Sequence, residues 1–276
     1  MEVGLLTARF GREVELAEIA AWAGEAGFSA LEVTTGPGGH VRSEEVLDDG
    51  GVSVKALLEE TGLRISSLAC YAGFNRGEGP EAYQQTMTRA LETARLLGVD
   101  TVCTLVGFPA EGKTKEQTIR EVAPDVIGPL AEEARQGGIR IAFENWFATN
   151  LQNLEHFRAV TEAFPHPNVG FNFDPSHLHW QGIDVVGAVA EFADRIFHTH
   201  AKDVSIDRAK LSRLGVLAGG WWEYSIPGYG EVPWGPYIRA LRRCGYDGVL
   251  SIEHEDAAFG AKEGFRKGLR YLSSLI

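Results

Sequence analysis

The chain has 276 residues, 44% of them hydrophobic and 23% charged, with a formal charge of −12 at pH 7. That length is close to the roughly 250 residues of an eight-fold β/α barrel, and it is enough to bury a sizeable core. So acidic a surface repels phosphate backbones and anionic lipid, which argues against nucleic acid or membrane as a partner.

Short apolar runs alternate with amphipathic stretches along the whole chain. Val3 to Thr7 reads as a buried strand, followed by a helix over Val14 to Ala26 that Gly27 ends. Ala30 to Thr34 is the second strand, Val52 to Glu60 the next helix, and Arg64 to Tyr71 the third strand. Glu81 to Leu97 is a long helix closed by Gly98, and Thr101 to Val106 the fourth strand. A helix over Lys115 to Gln136 carries Pro124 and Pro129, which bend or split it. Strands five to eight are Arg140 to Glu144, Val169 to Asp174, Ile196 to His200 and Val249 to Glu253. Helices over Leu154 to Phe164, Val185 to Phe192, Trp234 to Cys244 and Gly260 to Leu275 fill the gaps.

Eight successive strand–helix units predict a parallel sheet whose strands are covered on both faces. In this length they favour a closed (β/α)₈ TIM barrel over an open doubly wound sheet. No linker or low-complexity segment interrupts it, so residues 1–276 read as one domain. The least regular stretches are Gly36 to Gly39 and Val204 to Glu231, both after strand C-termini, the face on which barrel enzymes carry their chemistry. No apolar run reaches the roughly 18 residues that span a bilayer. The N-terminus has no basic-then-apolar signal, so the expected location is the cytoplasm. Cys70, Cys103 and Cys244 lack metal-binding spacing, and the first two sit in apolar runs where buried free thiols are common.

The last four strands all end in charge: Phe143-Glu144-Asn145, Phe173-Asp174, His198-Thr199-His200-Ala201-Lys202-Asp203, and Ile252-Glu253-His254-Glu255. A strand bound for a dry interior does not end this way without compensation, because an unpaired buried carboxylate is expensive. In a closed barrel these ends converge, and carboxylates crowded together call for a cation. Glu144, Asp174, His200 and Glu253 offer oxygen and nitrogen ligands without thiolate, a set that suits a divalent ion, Mn²⁺ first, with Mg²⁺, Co²⁺ or Zn²⁺ as alternatives. Any one of them alone reads as a helix cap or half of a salt bridge, Asp174 before Pro175 above all. Four in succession do not.

The order of these motifs, with Asp174-Pro175-Ser176-His177 and the Pro227-to-Trp234 stretch between them, resembles the xylose isomerase-like sugar phosphate isomerase/epimerase superfamily of TIM barrels. The resemblance is densest from Ile139 to Asp256. It implies the metal ligands Glu144, Asp174, His200 and Glu253, with Glu144 and Glu253 doubling as catalytic acid and base. It also implies substrate contacts from His177 and, more loosely, Lys202. The activity it implies is isomerisation or epimerisation of a small sugar or cyclitol by α-proton abstraction through an enediolate. Dehydration of a keto-sugar, inosose or 3-keto-glycoside is the alternative at the same site.

Trp222, with Trp221 and Tyr229, would wall a sugar pocket or else pin the loop or a subunit contact; the oligomeric state, homo-oligomer included, stays open. Glu32 and Asp203 read equally as positioning groups or as surface and salt-bridge residues. His198 lies on the same strand face as His200 but deeper, as a hydrogen-bonded histidine. His40, His156 and His166 read as surface residues. A non-catalytic sugar-binding barrel remains a rival, as does an endonuclease IV-like phosphodiesterase. The latter needs histidines on early strands, where Cys70-Tyr71 and Cys103-Thr104 stand instead.

Overall fold

The strand segments are buried along nearly their whole length, whichever face a residue points to. In the computed structural model, which describes residues 1–75 and 79–276, these segments become β1 (Glu2–Leu6), β2 (Ala30–Thr34), β3 (Arg64–Ala69), β4 (Thr101–Thr104), β5 (Arg140–Glu144), β6 (Val169–Phe173) and β7 (Ile196–Ala201). A hairpin of β8 (Asp203–Ile206) and β9 (Trp222–Ser225) follows, then β10 (Val249–Ile252). All except the hairpin pair in parallel and close into an eight-stranded barrel, with β1 between β10 and β2.

Alternation along each strand decides what faces inward. Ala142 and Glu144, Asn172 and Asp174, His198, His200 and Lys202, and Ser251 and Glu253 share the interior side of their strands. The intervening residues pack outward on helices. Phe143 meets Phe164 at 6.1 Å between ring centroids, Phe171 meets Phe157 at 4.4 Å, and Phe173 stacks on Tyr237 at 5.8 Å.

The outer layer is α1 (Leu16–Ala26), α2 (Ser43–Asp49), α3 (Val52–Thr61), α4 (Pro80–Leu97), α5 (Lys115–Glu121), α6 (Ala123–Gln136), α7 (Leu154–Ala163), α8 (Pro175–His179), α9 (Val185–Glu191), α10 (Arg208–Leu214), α11 (Trp234–Arg243) and α12 (Ala261–Ser273). Gly27 and Gly98 end α1 and α4 in the left-handed region, at φ 91° and 71°. None of the described helices is long and apolar enough to cross a membrane.

The predicted helix over Lys115 to Gln136 is two helices. Thr114 and Gln117 form a reciprocal capping box that starts α5, and the chain breaks at Val122 so that Pro124 falls in the first turn of α6, where its missing N–H costs nothing. Pro129 stays inside α6.

The stretch from Val204 to Glu231 is more ordered than its composition suggests. Asp207 accepts from Lys210 N (2.9 Å) to start α10, and β8 and β9 pair antiparallel on either side of it. Asp203 is not a surface residue. It is fully buried and accepts from the backbone of Gly228 (3.0 Å) and Val232 (2.9 Å) and from Trp234 Nε1 (2.8 Å), so it fastens the segment after the hairpin to the barrel.

Candidate metal centre

Glu144 is the last residue of β5, Asp174 follows β6, His200 lies near the end of β7, and Glu253 follows β10. The four residues offer ligand atoms that all lie within 4.8 Å of one another. His200 Nδ1 stands 3.1 Å from Glu253 Oε2, 3.3 Å from Glu144 Oε1 and 3.8 Å from Asp174 Oδ2.

Two of these atoms carry the test of whether a cation fits. His200 Nδ1 and Asp174 Oδ2 are buried without a hydrogen-bond partner, and they face the same space. The two oxygens of Asp174 divide their duties. Oδ1 caps α8, accepting from Ser176 N and Ser176 Oγ at 2.7 Å each, while Oδ2 is left to the cluster. Asn145, beside Glu144, holds the Asp174 backbone through two bonds of 2.8 Å, one to its carbonyl and one from its amide.

Charge gives the same answer. The carboxylates of Glu32, Glu144, Asp174 and Glu253 crowd around one imidazole and one ammonium, those of His200 and Lys202. Burial would raise Glu144 and Asp174, but the neighbouring His200, His177 and Lys202 outweigh it and hold both below the usual carboxylate range. Burial likewise opposes the charged forms of His200 and Lys202, and the surrounding carboxylates push both up. The donor set and the excess of negative charge fit a divalent cation.

Lys202 flanks the cluster. Its ammonium donates to Glu253 Oε2 (2.5 Å) and His177 Nε2 (3.2 Å), stands 3.3 Å from Asp174 Oδ2 and 3.5 Å from Glu255 Oε2, and lies 4.5 Å over the Tyr224 ring. Tyr224, on β9, reaches His177 Nδ1 at 2.6 Å. His177, on α8, is thereby held 3.6 Å from Glu144. Trp222 stacks on Trp180 (4.6 Å between centroids) and meets Phe147 edge-on at 5.7 Å. A cavity of about 430 Å³ opens over the carboxylates, with Tyr71, Phe147, His177, Lys202, Trp222 and Tyr224 among its walls. A second hollow of about 470 Å³, edged by Arg12, Gly38 and His40, shares Tyr71 with it.

His198 lies one step down the barrel, its ring 6.4 Å from that of His200. Its Nδ1 bonds Asn172 Oδ1 (3.1 Å) and its Nε2 Ser66 Oγ (3.2 Å); burial lowers its pKa to about 4. It groups with Glu32 and Cys103 closely enough to suggest a second ion. Both its nitrogens are already engaged, however, and burial pushes the Cys103 thiol well up. Glu32 is fully buried rather than at the surface. Burial would raise it, but His200 and His198 beside it win and hold it at about 2.

Trp221 is buried against Trp180 and pins the hairpin, whereas Tyr229 is exposed and packs on Phe259 outside the pocket. His40 is not a free surface residue: its nitrogens bond Thr34 Oγ1 (2.7 Å) and the Gly11 carbonyl (2.8 Å), which ties the Gly36–Gly39 loop down. His156, half-buried, accepts from Gln152 N (3.2 Å), and His166 is half-buried with an enclosed Nδ1. Tyr71, Phe147 and Tyr224 belong to the pocket and were not singled out as pocket residues from the sequence. Tyr224 had a signal, since it alternates with Trp222 on one strand face.

Residues 20–275 match the model of the family described as xylose isomerase-like TIM barrel. The uncharacterized protein YfiH of Bacillus subtilis (strain 168) is 28% identical over 92% of this chain and 93% of its own. The inosose dehydratase of Geobacillus thermodenitrificans (strain NG80-2) is 28% identical, but over 48% of this chain and 45% of its own. A solved structure described as IOLI protein with a binding zinc atom superposes with a TM-score of 0.78 at 21% identity, covering 100% of this chain and 99% of that one.

Proposed function

We infer from two facts, that the chain belongs to the xylose isomerase-like TIM barrel family and that Glu144 and Glu253 converge with the unpartnered His200 Nδ1 and Asp174 Oδ2 on one point, that it is a divalent-metal-dependent sugar or cyclitol isomerase or epimerase. The convergence is the observation that carries the reading. Glu144, Asp174, His200 and Glu253 hold the cation; three carboxylates and one imidazole make Mn²⁺ the best suited, with Zn²⁺, Mg²⁺ and Co²⁺ as alternatives. When bound, such a cation supplies Lewis-acid polarisation of a substrate carbonyl and its neighbouring hydroxyl.

The chain's own residues do the proton work. Glu144, ionised at neutral pH, removes the proton from the carbon beside the carbonyl, and Glu253 returns one to the neighbouring carbon or the opposite face. Lys202 and His177 face the substrate oxygen on which negative charge appears. Phe147, Trp222 and Tyr224 exclude water and give a ring's apolar face a surface to lie on. The adjoining hollow beside Tyr71 leaves room for a substituent. An oxidised cyclitol or a 3-keto-glycoside suits these dimensions better than a triose.

Dehydration at the same site is the second reading, favoured by the Lys202 ammonium between Glu253 and Glu255. After the α-proton leaves, a hydroxyl on the next carbon departs as water by taking a proton from that ammonium. A phosphodiesterase resembling endonuclease IV is disfavoured, since the early strands bring Glu32, Tyr71 and Cys103 here, and not histidines.

The test is α-proton exchange in deuterated water, with Mn²⁺-loaded protein and a panel of ketoses, inososes and 3-keto-glycosides followed by NMR. We expect deuterium beside the carbonyl of at least one member; loss of the mass of one water from it would identify a dehydratase. Panel members that bind saturably, by tryptophan fluorescence, with none of them exchanging an α-proton in any metal form, contradict the reading.

A further inference from the structure

Glu32 has no part in the chemistry above, yet it is a carboxylate with no exposed surface at the centre of the barrel. We propose that Glu32 is a positioning residue that keeps the proton of His200 on Nε2, so that Nδ1 presents its lone pair to the cation. This rests on the metal-centre reading of Glu144, Asp174, His200 and Glu253.

Three donors meet Glu32. Tyr71 OH donates to Oε1 (2.9 Å), Ser251 Oγ donates to Oε2 (2.7 Å), and His200 Nε2 lies 3.1 Å from the same Oε2. A register shift between β2 and β3 falls between Leu31 and Glu32, the kind of irregularity that re-aims a side chain.

What makes Glu32 decisive is the competition around His200 Nε2. Tyr71 OH stands 2.9 Å from that nitrogen and Asn172 Nδ2 3.0 Å from it, and either would donate to it if it carried no proton. Then the proton would sit on Nδ1, pointing at the carboxylates and blocking the cation. The carboxylate of Glu32 tips the balance. It draws the Tyr71 hydroxyl to Oε1 and offers Oε2 to an Nε2–H. Asn172 is only partly engaged, its Oδ1 accepting from His198 Nδ1 (3.1 Å) and one of its two Nδ2 hydrogens going to the Tyr71 oxygen (3.1 Å), so its second N–H is the competitor that the charged Glu32 carboxylate outweighs. A carboxylate behind a ligating histidine fixes its tautomer and raises its basicity. Here the same carboxylate also orients Tyr71, a wall of the substrate cavity.

The test is Mn²⁺ and Zn²⁺ affinity of the metal-stripped full-length protein, by competition with a fluorescent chelator. Glu32→Gln should weaken both ions by about 10–100-fold, the usual cost of losing such a partner. Glu32→Asp keeps the charge but changes the shape, and should bind more tightly than the isosteric Gln variant. A merely structural role predicts the reverse order. Ser66→Ala, which removes a hydrogen bond of His198 in the same layer, controls for general loosening and should leave affinity unchanged. Glu32→Gln binding both ions as wild type does, or Glu32→Asp binding more weakly than Glu32→Gln, overturns the proposal. Wild-type protein that takes up neither ion is a different failure, that of the metal-centre reading itself, and the proposal falls with it.

Discussion

Glu144→Gln and Glu253→Gln should each slow α-proton exchange by about 10²–10⁴-fold, the usual contribution of a positioned general acid or base. An amide keeps the shape of the carboxylate but takes no proton at neutral pH. The fold should survive, because both residues stand at strand ends, where the cost is confined to the site. Each amide also takes a counter-charge away from the buried His200, and Glu253→Gln takes one from Lys202 as well, so the melting temperature of the metal-free protein should fall while the fold is kept. Exchange followed by NMR, beside thermal melting by circular dichroism, checks both halves. If wild type exchanges a panel member and both variants exchange it equally fast, the two carboxylates are not the acid and base.

Asp174→Asn should fail differently. The amide oxygen can still cap α8 through Ser176, since Asn caps a helix about as well as Asp. In that orientation its NH₂ replaces Oδ2 and points two hydrogens at the cation. Metal affinity should therefore fall by at least about tenfold, the lower end of what losing even an outer partner costs, and the melting temperature of the metal-free protein should fall as the buried Lys202 loses a counter-charge. Excess Mn²⁺ should restore part of the activity, which it cannot do for Glu144→Gln or Glu253→Gln if proton transfer itself is lost. Asp174→Ala removes both functions and should also lose about 0.5–2 kcal/mol of stability with the cap. Chelator competition and thermal melting separate the cases. Equal metal affinity in wild type and Asp174→Asn would remove Asp174 from the site.

The barrel was legible because its strands are buried on both faces, so each appears as a short apolar run between helical stretches, and because the last four end in charge that a dry interior does not tolerate. Helix ends with glycine were legible for the same local reason. The division at Val122 was only half visible, since Pro124 permits a break without dictating whether the chain bends or starts afresh. The hairpin of β8 and β9 was missed because α10 and its flanking glycines separate two short strands whose alternation is convincing only when they are paired. Phe147 gave no signal, and the alternation of Tyr224 with Trp222 shows only once β9 is recognised as a strand. Glu32 was undecided because its partners come from elsewhere in the chain: Tyr71 after β3, His200 on β7 and Ser251 on β10. A single carboxylate in Ala30–Thr34 does not reveal that three distant donors will meet on it.

The central claim, one cation held by four strand-end side chains, is tested most directly by a crystal structure of the Mn²⁺-soaked protein with anomalous scattering recorded for the metal. The account predicts one strong peak at the barrel mouth, within about 2.0–2.6 Å of carboxylate oxygens of Glu144, Asp174 and Glu253 and of Nδ1, not Nε2, of His200. The His198 ring should lie outside that sphere. A peak on His198, a peak bound through His200 Nε2, or no peak among these residues at saturating Mn²⁺ would contradict it.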